Sequence, residues 1–392
     1  MSSLHREPNL LAATRTARLG ALVVSVCTCL AACGGGGGGD GGSASGGVFV
    51  DSPVQGLNFI AGLDVGVTNA QGAFTASPGT TVLFAVGDVV LGLAPFERQL
   101  TPISLVSGAT DVTDPEVTNI ARLLQSLDAD SDPSNGITID PAVRTAGEGL
   151  SLNFNQSGAA FEAESTLATL LAAAGTTLVS ASDAQNHLRA SLRGSYAGRF
   201  VGNYGGDDTG TFDVFIDRSG ELVGCAFSNG DQDVFGVDGQ VDLTGSGVFG
   251  NTTDMSSFSG TVGAGVIEGT WTNTFFGTAG GFGGTRVEVP SFVLDASALA
   301  PFVGSYTGMY VVPGETGAFS LVVGADGDLD ITDGDPGEVR ATILSIEAGV
   351  ATFAGLADDG TLIRGTLLTD GTTSGTLNNP HDGEAGTFTG SM

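Results

Sequence analysis

The chain contains no lysine: all 13 basic residues are arginine, set against 43 acids, for a formal net charge of −30. Binding nucleic acid needs cationic neutralisation of phosphates, so the balance argues against that partner, and an anionic lipid surface is equally unfavourable. Histidine is scarce, with three in 392 residues, and no G-x-S-x-G, H-E-x-x-H or paired C-x-x-C motif is present. Three of the four cysteines, Cys27, Cys29 and Cys33, crowd at the N-terminus, which leaves Cys225 without an intramolecular disulfide partner. No apolar run approaches the roughly 20 residues of an ordinary membrane span. Disorder does not follow from the charge, because 41% of the residues are hydrophobic and Phe, Val, Leu and Ile recur along the whole body.

The N-terminus is nevertheless organised. Arg6, Arg15 and Arg18 supply positive charge, Leu19 to Leu30 follow without a charge, and the small residues Ala31 and Ala32 lead to Cys33. That order reads as a secretory signal over residues 1–32. Its closing Leu30-Ala31-Ala32-Cys33 resembles the lipobox of bacterial lipoproteins, which implies acylation of the Cys33 thiol and a mature chain starting there. Gly34, where inner-membrane members of that class typically carry Asp, implies the outer membrane, with the periplasmic or outward side left open. Each buried methylene contributes about 0.8 kcal/mol, so several acyl chains anchor firmly where one does not. Residues 33–47 are a glycine-rich tether, a coil with a reach of roughly 20 Å. Losing residues 1–32 leaves 10 Arg against 42 acids.

Over residues 48–110, short β-prone runs (Val48 to Val50, Leu57 to Ile60, Ala73 to Ala76, Thr81 to Val86, Val89 to Leu91) alternate with turn signals such as Asn-Ala-Gln-Gly and Ser-Pro-Gly. They predict a small antiparallel module. The stretches "VFVDSPVQGL" and "TNAQGAFTASPGTTVLFAVGDVVLG" resemble a module that opens many Gram-negative envelope and adhesin-like proteins. Its middle is similar to carboxypeptidase-regulatory-like, transthyretin-type sandwiches, a resemblance that implies a structural role. Residues 111–193 then shift to a helical period. Asp114 caps a helix with Pro115 at its first position, and Val117, Ile120, Ala121, Leu124 and Leu127 form one apolar stripe. A second helix is expected over Glu162 to Ala173, and a third from a capping box of Ser182 and Gln185.

Beyond Gly194 the pattern is glycine-rich and two-periodic, and it repeats. "GSYAGRF" at 194 recurs as "GSYTGMY" at 304, "TGTFDVFIDRSGEL" at 209 as "TGAFSLVVGADGDL" at 316, "VIEGTW" at 266 as "LIRGTL" at 362, and "GGFGGT" near 280 as "AGTFTG" near 385. These matches predict a duplicated unit of about 100 residues, over 194–290 and 291–392. Each copy has the strand and turn spacing of a meander, closed as a barrel or folded as a sandwich. The pattern is reminiscent of avidin-like meanders, although no binding motif of that family is matched. The fold class is therefore mainly β: a small β-sandwich-like N-terminal module, a helical connector and two tandem antiparallel β-meander domains.

Chemistry-bearing residues are few. In "DADSDPSNGI", Asp128, Asp130 and Asp132 alternate after a helix, a spacing that lets carboxylates converge on calcium, with Asn135 or Asp140 to complete the set. This resembles the front of an EF-hand loop but departs from it at Pro133, where the sixth-position Gly belongs, and at Ile139, where the bidentate Glu belongs. A solvated acidic turn is the plainer reading. The second acidic stretch, with Asp326, Asp328, Asp330, Asp333 and Asp335, reads as hairpin turn chemistry. His187 is expected to be a packing or helix-surface residue and Cys225 a small core residue, while Tyr196, Tyr204, Tyr306, Tyr310 and Trp271 are expected in the core or rim of the β domains, with the lining of a sugar or ligand pocket as the alternative.

The reading that follows is a non-enzymatic, lipid-anchored outer-membrane lipoprotein with a structural, adhesion or binding role. The alternative is a small-ligand carrier with barrel pockets, and a hydrolase is a third. Interior volume separates the first two: filled barrels leave no room, whereas a cavity of about 300 Å³ or more favours a carrier.

Overall fold

The computed structural model describes residues 45–230, 234–251, 255–333, 339–381 and 383–392. The N-terminal module consists of two sheets. In one, Ser45–Phe49 lies between Ala73–Ala76, antiparallel to it, and Gln99–Leu100, parallel to it. The other runs in the order Asp64–Val67, Asn58–Ala61, Thr81–Val86, Val89–Pro95. Each of the five expected runs overlaps a strand. Alternation places Val82, Phe84 and Val86 inward, and the Phe84 ring packs against Phe49 and Phe74 with centroids 4.7 and 5.1 Å away. The Asn-Ala-Gln-Gly turn depends on Gly72, whose φ is +69° and where a Cβ would sit 2.4 Å from the Phe49 carbonyl oxygen.

Helix α1 (Pro115–Ser126) starts where expected, with Asp114 Oδ1 accepting from the Glu116 and Val117 amides at 2.8 and 3.4 Å. It is buried on two sides rather than along one stripe. Ile120, Leu123 and Leu124 enter the core of the β module, whereas Val117 and Ala121 meet a later helix, α5 (Ala181–Tyr196). Between them lie α2 (Pro141–Ala146), which the sequence reading missed, α3 (Gly158–Glu162) and α4 (Ser165–Ala174). The helix expected over Glu162 to Ala173 is α4 with a later start, and a break separates it from α3, which like α2 was not foreseen. The break occurs where Glu162 accepts from buried Arg122 at 2.8 Å and Glu164 begins a new first turn. The cap of α5 is also displaced: Ser180 accepts from the Asp183 amide at 3.1 Å, and Gln185 instead donates to Thr118 Oγ1 on α1 at 2.9 Å.

Both meander domains are closed eight-stranded barrels, not sandwiches. The first comprises Gly198–Gly206, Gly210–Ile216, Glu221–Ser228, Val234–Val241, Ser246–Asn251, Ser256–Gly263, Val266–Asn273 and Thr278–Glu288. The second comprises Gly304–Val312, Glu315–Val323, Asp328–Thr332, Val339–Glu347, Val350–Ala357, Leu362–Leu368, Thr372–Asn379 and Glu384–Ser391. Each is stopped at one end by the helix before its first strand. Leu192 and Tyr196 of α5 join the first barrel's core, with the Tyr196 hydroxyl 3.4 Å from the Leu243 carbonyl. In the second, α6 (Ala296–Leu299) and the turn Ala300–Phe302 contribute Leu299 and Phe302, and Tyr306 donates to the Phe302 carbonyl at 3.0 Å.

Strand order corrects the register of the repeat. Gly198, Phe200, Gly202 and Tyr204 match Gly304, Tyr306, Gly308 and Tyr310, an offset of 106 residues that recurs between Trp271 and Leu377 and between Phe282 and Phe388. Gly194 lies inside α5, so its alignment with Gly304 does not hold. Likewise "VIEGTW" is a seventh strand and "LIRGTL" a sixth.

The barrels meet through Phe215, Ala354, Leu356 and Leu362. Ion pairs flank this contact, Arg340 with Glu221 at 2.7 Å and Arg364 with Glu288 at 2.5 Å. Arg218, almost wholly buried, donates to the Ser291 carbonyl at 2.7 Å, and its backbone amide donates to Asp328 at 2.9 Å. Among the described residues no helix is long and apolar enough to cross a membrane.

Candidate functional site

Cys33 lies outside the described residues. The acidic loop after α1 folds back on itself. Asp128 Oδ1 accepts from the Thr138 amide at 2.8 Å, Asp130 from the Asp132 amide and from Asn135 Nδ2 at 3.0 Å each, and Asp132 from the Ser134 amide at 3.2 Å. Asp140 stands apart as the residue before α2. Burial pushes the Asp128 carboxyl up to about 6. Among the described residues no group of three or more His, Cys, Asp or Glu side chains is placed to hold a metal ion. Asp328, from the second acidic stretch, is drawn into the contact between the barrels, and Asp335 lies outside the described residues.

A buried polar node, not legible in the sequence, joins the β module to α1 and α5. Asp51, fully buried, accepts from Gln125 Nε2 through both oxygens at 3.1 Å. Desolvation raises its carboxyl to about 8. Beside it, Ser52 holds a left-handed φ of +54°, its amide donates to Ser191 Oγ, and its hydroxyl lies 3.1 Å from His187 Nε2. Burial lowers the His187 imidazole to about 4. Serine, histidine and aspartate thus converge, yet not as a nucleophilic triad. Asp51 approaches the same ring nitrogen that faces Ser52, at 3.8 Å, rather than orienting the other one, and Ser52 has no solvent access. Cys225 is buried facing the second barrel, 3.6 Å from His381 Nε2, and desolvation pushes its thiol up to about 12, the opposite of nucleophilic activation.

The two barrel interiors differ. In the first, Phe249, Phe258 and Trp271 lie side by side on the fifth, sixth and seventh strands. The Phe249 and Phe258 rings stack at 4.9 Å, Phe282 meets both at 5.5 Å, and Tyr204 meets Trp271 at 5.6 Å. The Trp271 indole passes over Gly280 on the eighth strand and donates to the Gly205 carbonyl at 3.0 Å. In the second barrel the same row reads Gly355, Ile363, Leu377 and then Gly386. Three aromatic side chains have become none, a branched chain and a smaller one.

A cavity of about 380 Å³ occupies that end of the second barrel. Tyr310, Phe319, Ile331, Ile363, Leu377 and Phe388 form its wall. Asp333, Asp358, Asp359 and two threonines, Thr332 and Thr361, complete the lining, and the exposure of Thr332, Asp333 and Asp359 sets this group at the solvent end, the mouth. Of the aromatic residues singled out in the sequence, Tyr196, Tyr204, Tyr306 and Trp271 are buried, and only Tyr310 reaches a ligand-sized space. Leu377 and Ile363 were missed. The signal was present as the change from Trp271 to Leu377, legible only once the offset of 106 is known.

No family model matches the chain, and no curated protein does. Solved structures similar to it include a protein of unknown function from Nostoc punctiforme, 11% identical over 52% of this chain and 98% of that one, with a TM-score of 0.19. A mutant of the vaccine antigen transferrin-binding protein B from Haemophilus parasuis is 8% identical over 46% of this chain and 53% of its own, with a TM-score of 0.18. Isotype 1 transferrin-binding protein B from serogroup B Neisseria meningitidis is 11% identical over 47% of this chain and 52% of its own, also at 0.18. The chain thus spans about half the length of the two transferrin-binding chains, and we draw no function from likenesses of this size.

Proposed function

We propose that the protein is a non-catalytic binding protein of the cell envelope, tethered to the outer membrane through acylated Cys33, that takes up a small, largely apolar ligand in its second barrel. One observation carries the reading: a cavity of about 380 Å³ in one barrel where its duplicate is filled by aromatic packing. That volume falls within the range of small-molecule sites, and an apolar wall with a few polar groups at one end is their usual composition. The first barrel demonstrates that the scaffold accepts aromatic filling, so the space is a property of particular side chains and not of strand number. A purely scaffolding role leaves this space unused.

The test is titration of the whole chain with the neutral fluorophore N-phenyl-1-naphthylamine. We expect saturable enhancement of its emission, lost in Leu377→Trp, which restores the first barrel's residue opposite a glycine and so leaves the fold intact by circular dichroism. Equal enhancement in both proteins, or none in the unaltered chain, contradicts the cavity reading. For the tether, Cys33→Ser should move the protein from the membrane pellet to the soluble fraction; retention in the pellet contradicts acylation as the anchor.

A further inference from the structure

The cavity has a chemical polarity along its length. Its wall is apolar, whereas its mouth carries Asp333, Asp358 and Asp359, and among the described residues no basic one lines it. The two arginines adjacent in sequence to wall positions point away, as strand alternation requires. Arg340, after Val339, reaches Glu221 at 2.7 Å and Asp217 at 3.9 Å in the first barrel, and Arg364, after Ile363, reaches Glu288 at 2.5 Å. The rim is also ordered. The amide and hydroxyl of Thr361 donate to the two oxygens of Asp359 at 2.7 and 2.9 Å, which fixes that carboxylate at the entrance.

Resting on the binding role proposed above, we infer that the ligand of the second barrel is an amphipathic cation: an apolar tail lies between Phe319, Ile363, Leu377 and Phe388, and an ammonium-type head sits among Asp333, Asp358 and Asp359. Burial of the tail supplies affinity in proportion to the apolar area removed from water. The head stays close to solvent, so its attraction to the rim selects between ligands and weakens with salt. An anionic head on the same tail meets three like charges.

Three probes with one tail and different heads test this: decyltrimethylammonium, decanol and decanoate, each below its aggregation concentration, read by displacement of N-phenyl-1-naphthylamine from the whole chain. We expect the cation to bind at least about tenfold more tightly than the anion at low ionic strength, a gap that narrows as salt is added. The net charge of −30 attracts cations everywhere, so the decisive arm is the double variant Asp358→Asn, Asp359→Asn, in which the side-chain oxygen kept at position 359 still accepts from the Thr361 amide. It should shrink the gap to about threefold or less while leaving decanol unchanged. A full gap in the double variant, or equal binding of all three probes to the unaltered chain, overturns the headgroup assignment and leaves the cavity reading standing. Failure of every probe, the fluorophore included, overturns both.

Discussion

Asp51 is the residue most at odds with its surroundings, a carboxyl with no solvent access at the junction of the β module, α1 and α5. Its carboxyl lies at about 8 rather than the ordinary 3.8. The folded chain therefore holds a proton there that the unfolded chain has released, so stability falls as pH rises from about 4 to about 8 and levels off above, with a slope of up to about 1.4 kcal/mol per pH unit. His187 acts in the opposite sense. Its folded value of about 4 against an ordinary 6.5 makes stability rise with pH across that interval and adds nothing above it. Burial also raises Asp217 and Asp328. Between pH 6.5 and 8 Asp51 and Asp328, the latter raised to about 7, therefore dominate, and Asp51→Asn should isolate the share of Asp51. Urea denaturation is expected to show the unaltered chain losing stability across that window and the variant losing markedly less. Parallel curves would mean that Asp51 is ionised in the fold.

Among strands, the recurring device is a phenylalanine lying across a glycine of its neighbour. Phe212 faces Gly202, Phe319 faces Gly308 and Phe388 faces Gly375. At Gly202 a Cβ would stand 2.3 Å from the Gly283 carbonyl oxygen and 2.6 Å from the Phe212 ring, whereas at Gly205 it would meet nothing within 4 Å. Gly202→Ala is thus expected to cost about 1–3 kcal/mol and Gly205→Ala less than about 0.5 kcal/mol in either direction, read from denaturation midpoints. Equal costs would remove close packing as the reason for glycine. The same device limits what the sequence reveals. Duplication, strand content, the Asp114 cap and the five N-terminal runs were legible because each rests on local chemistry. Register was not, because glycine-rich strands of period two match one another at several shifts. "VIEGTW" and "LIRGTL" look alike although one is a seventh strand and the other a sixth. The cavity follows from register, so it too was hidden, as was the Asp51 node, whose members Asp51, Gln125 and His187 come from three distant segments.

On the scale of the whole molecule, two barrels built on one plan differ in what fills them. The first is filled by stacked rings, and its α5 plug locks it to the β module through the shared core. The second packs on the first through Phe215 and Leu356 and keeps its open end lined by smaller side chains. With the acyl anchor at Cys33 proposed above, this arrangement would hold the proposed binding site near a membrane. Methyl-resolved NMR of the whole chain during titration with decyltrimethylammonium tests the difference between the barrels directly. Shifts are expected to concentrate in the methyls of Ile331, Ile363 and Leu377, with Val237 and Ile267 of the first barrel unmoved. Equal shifts in both barrels, or none in the second, would contradict the cavity reading.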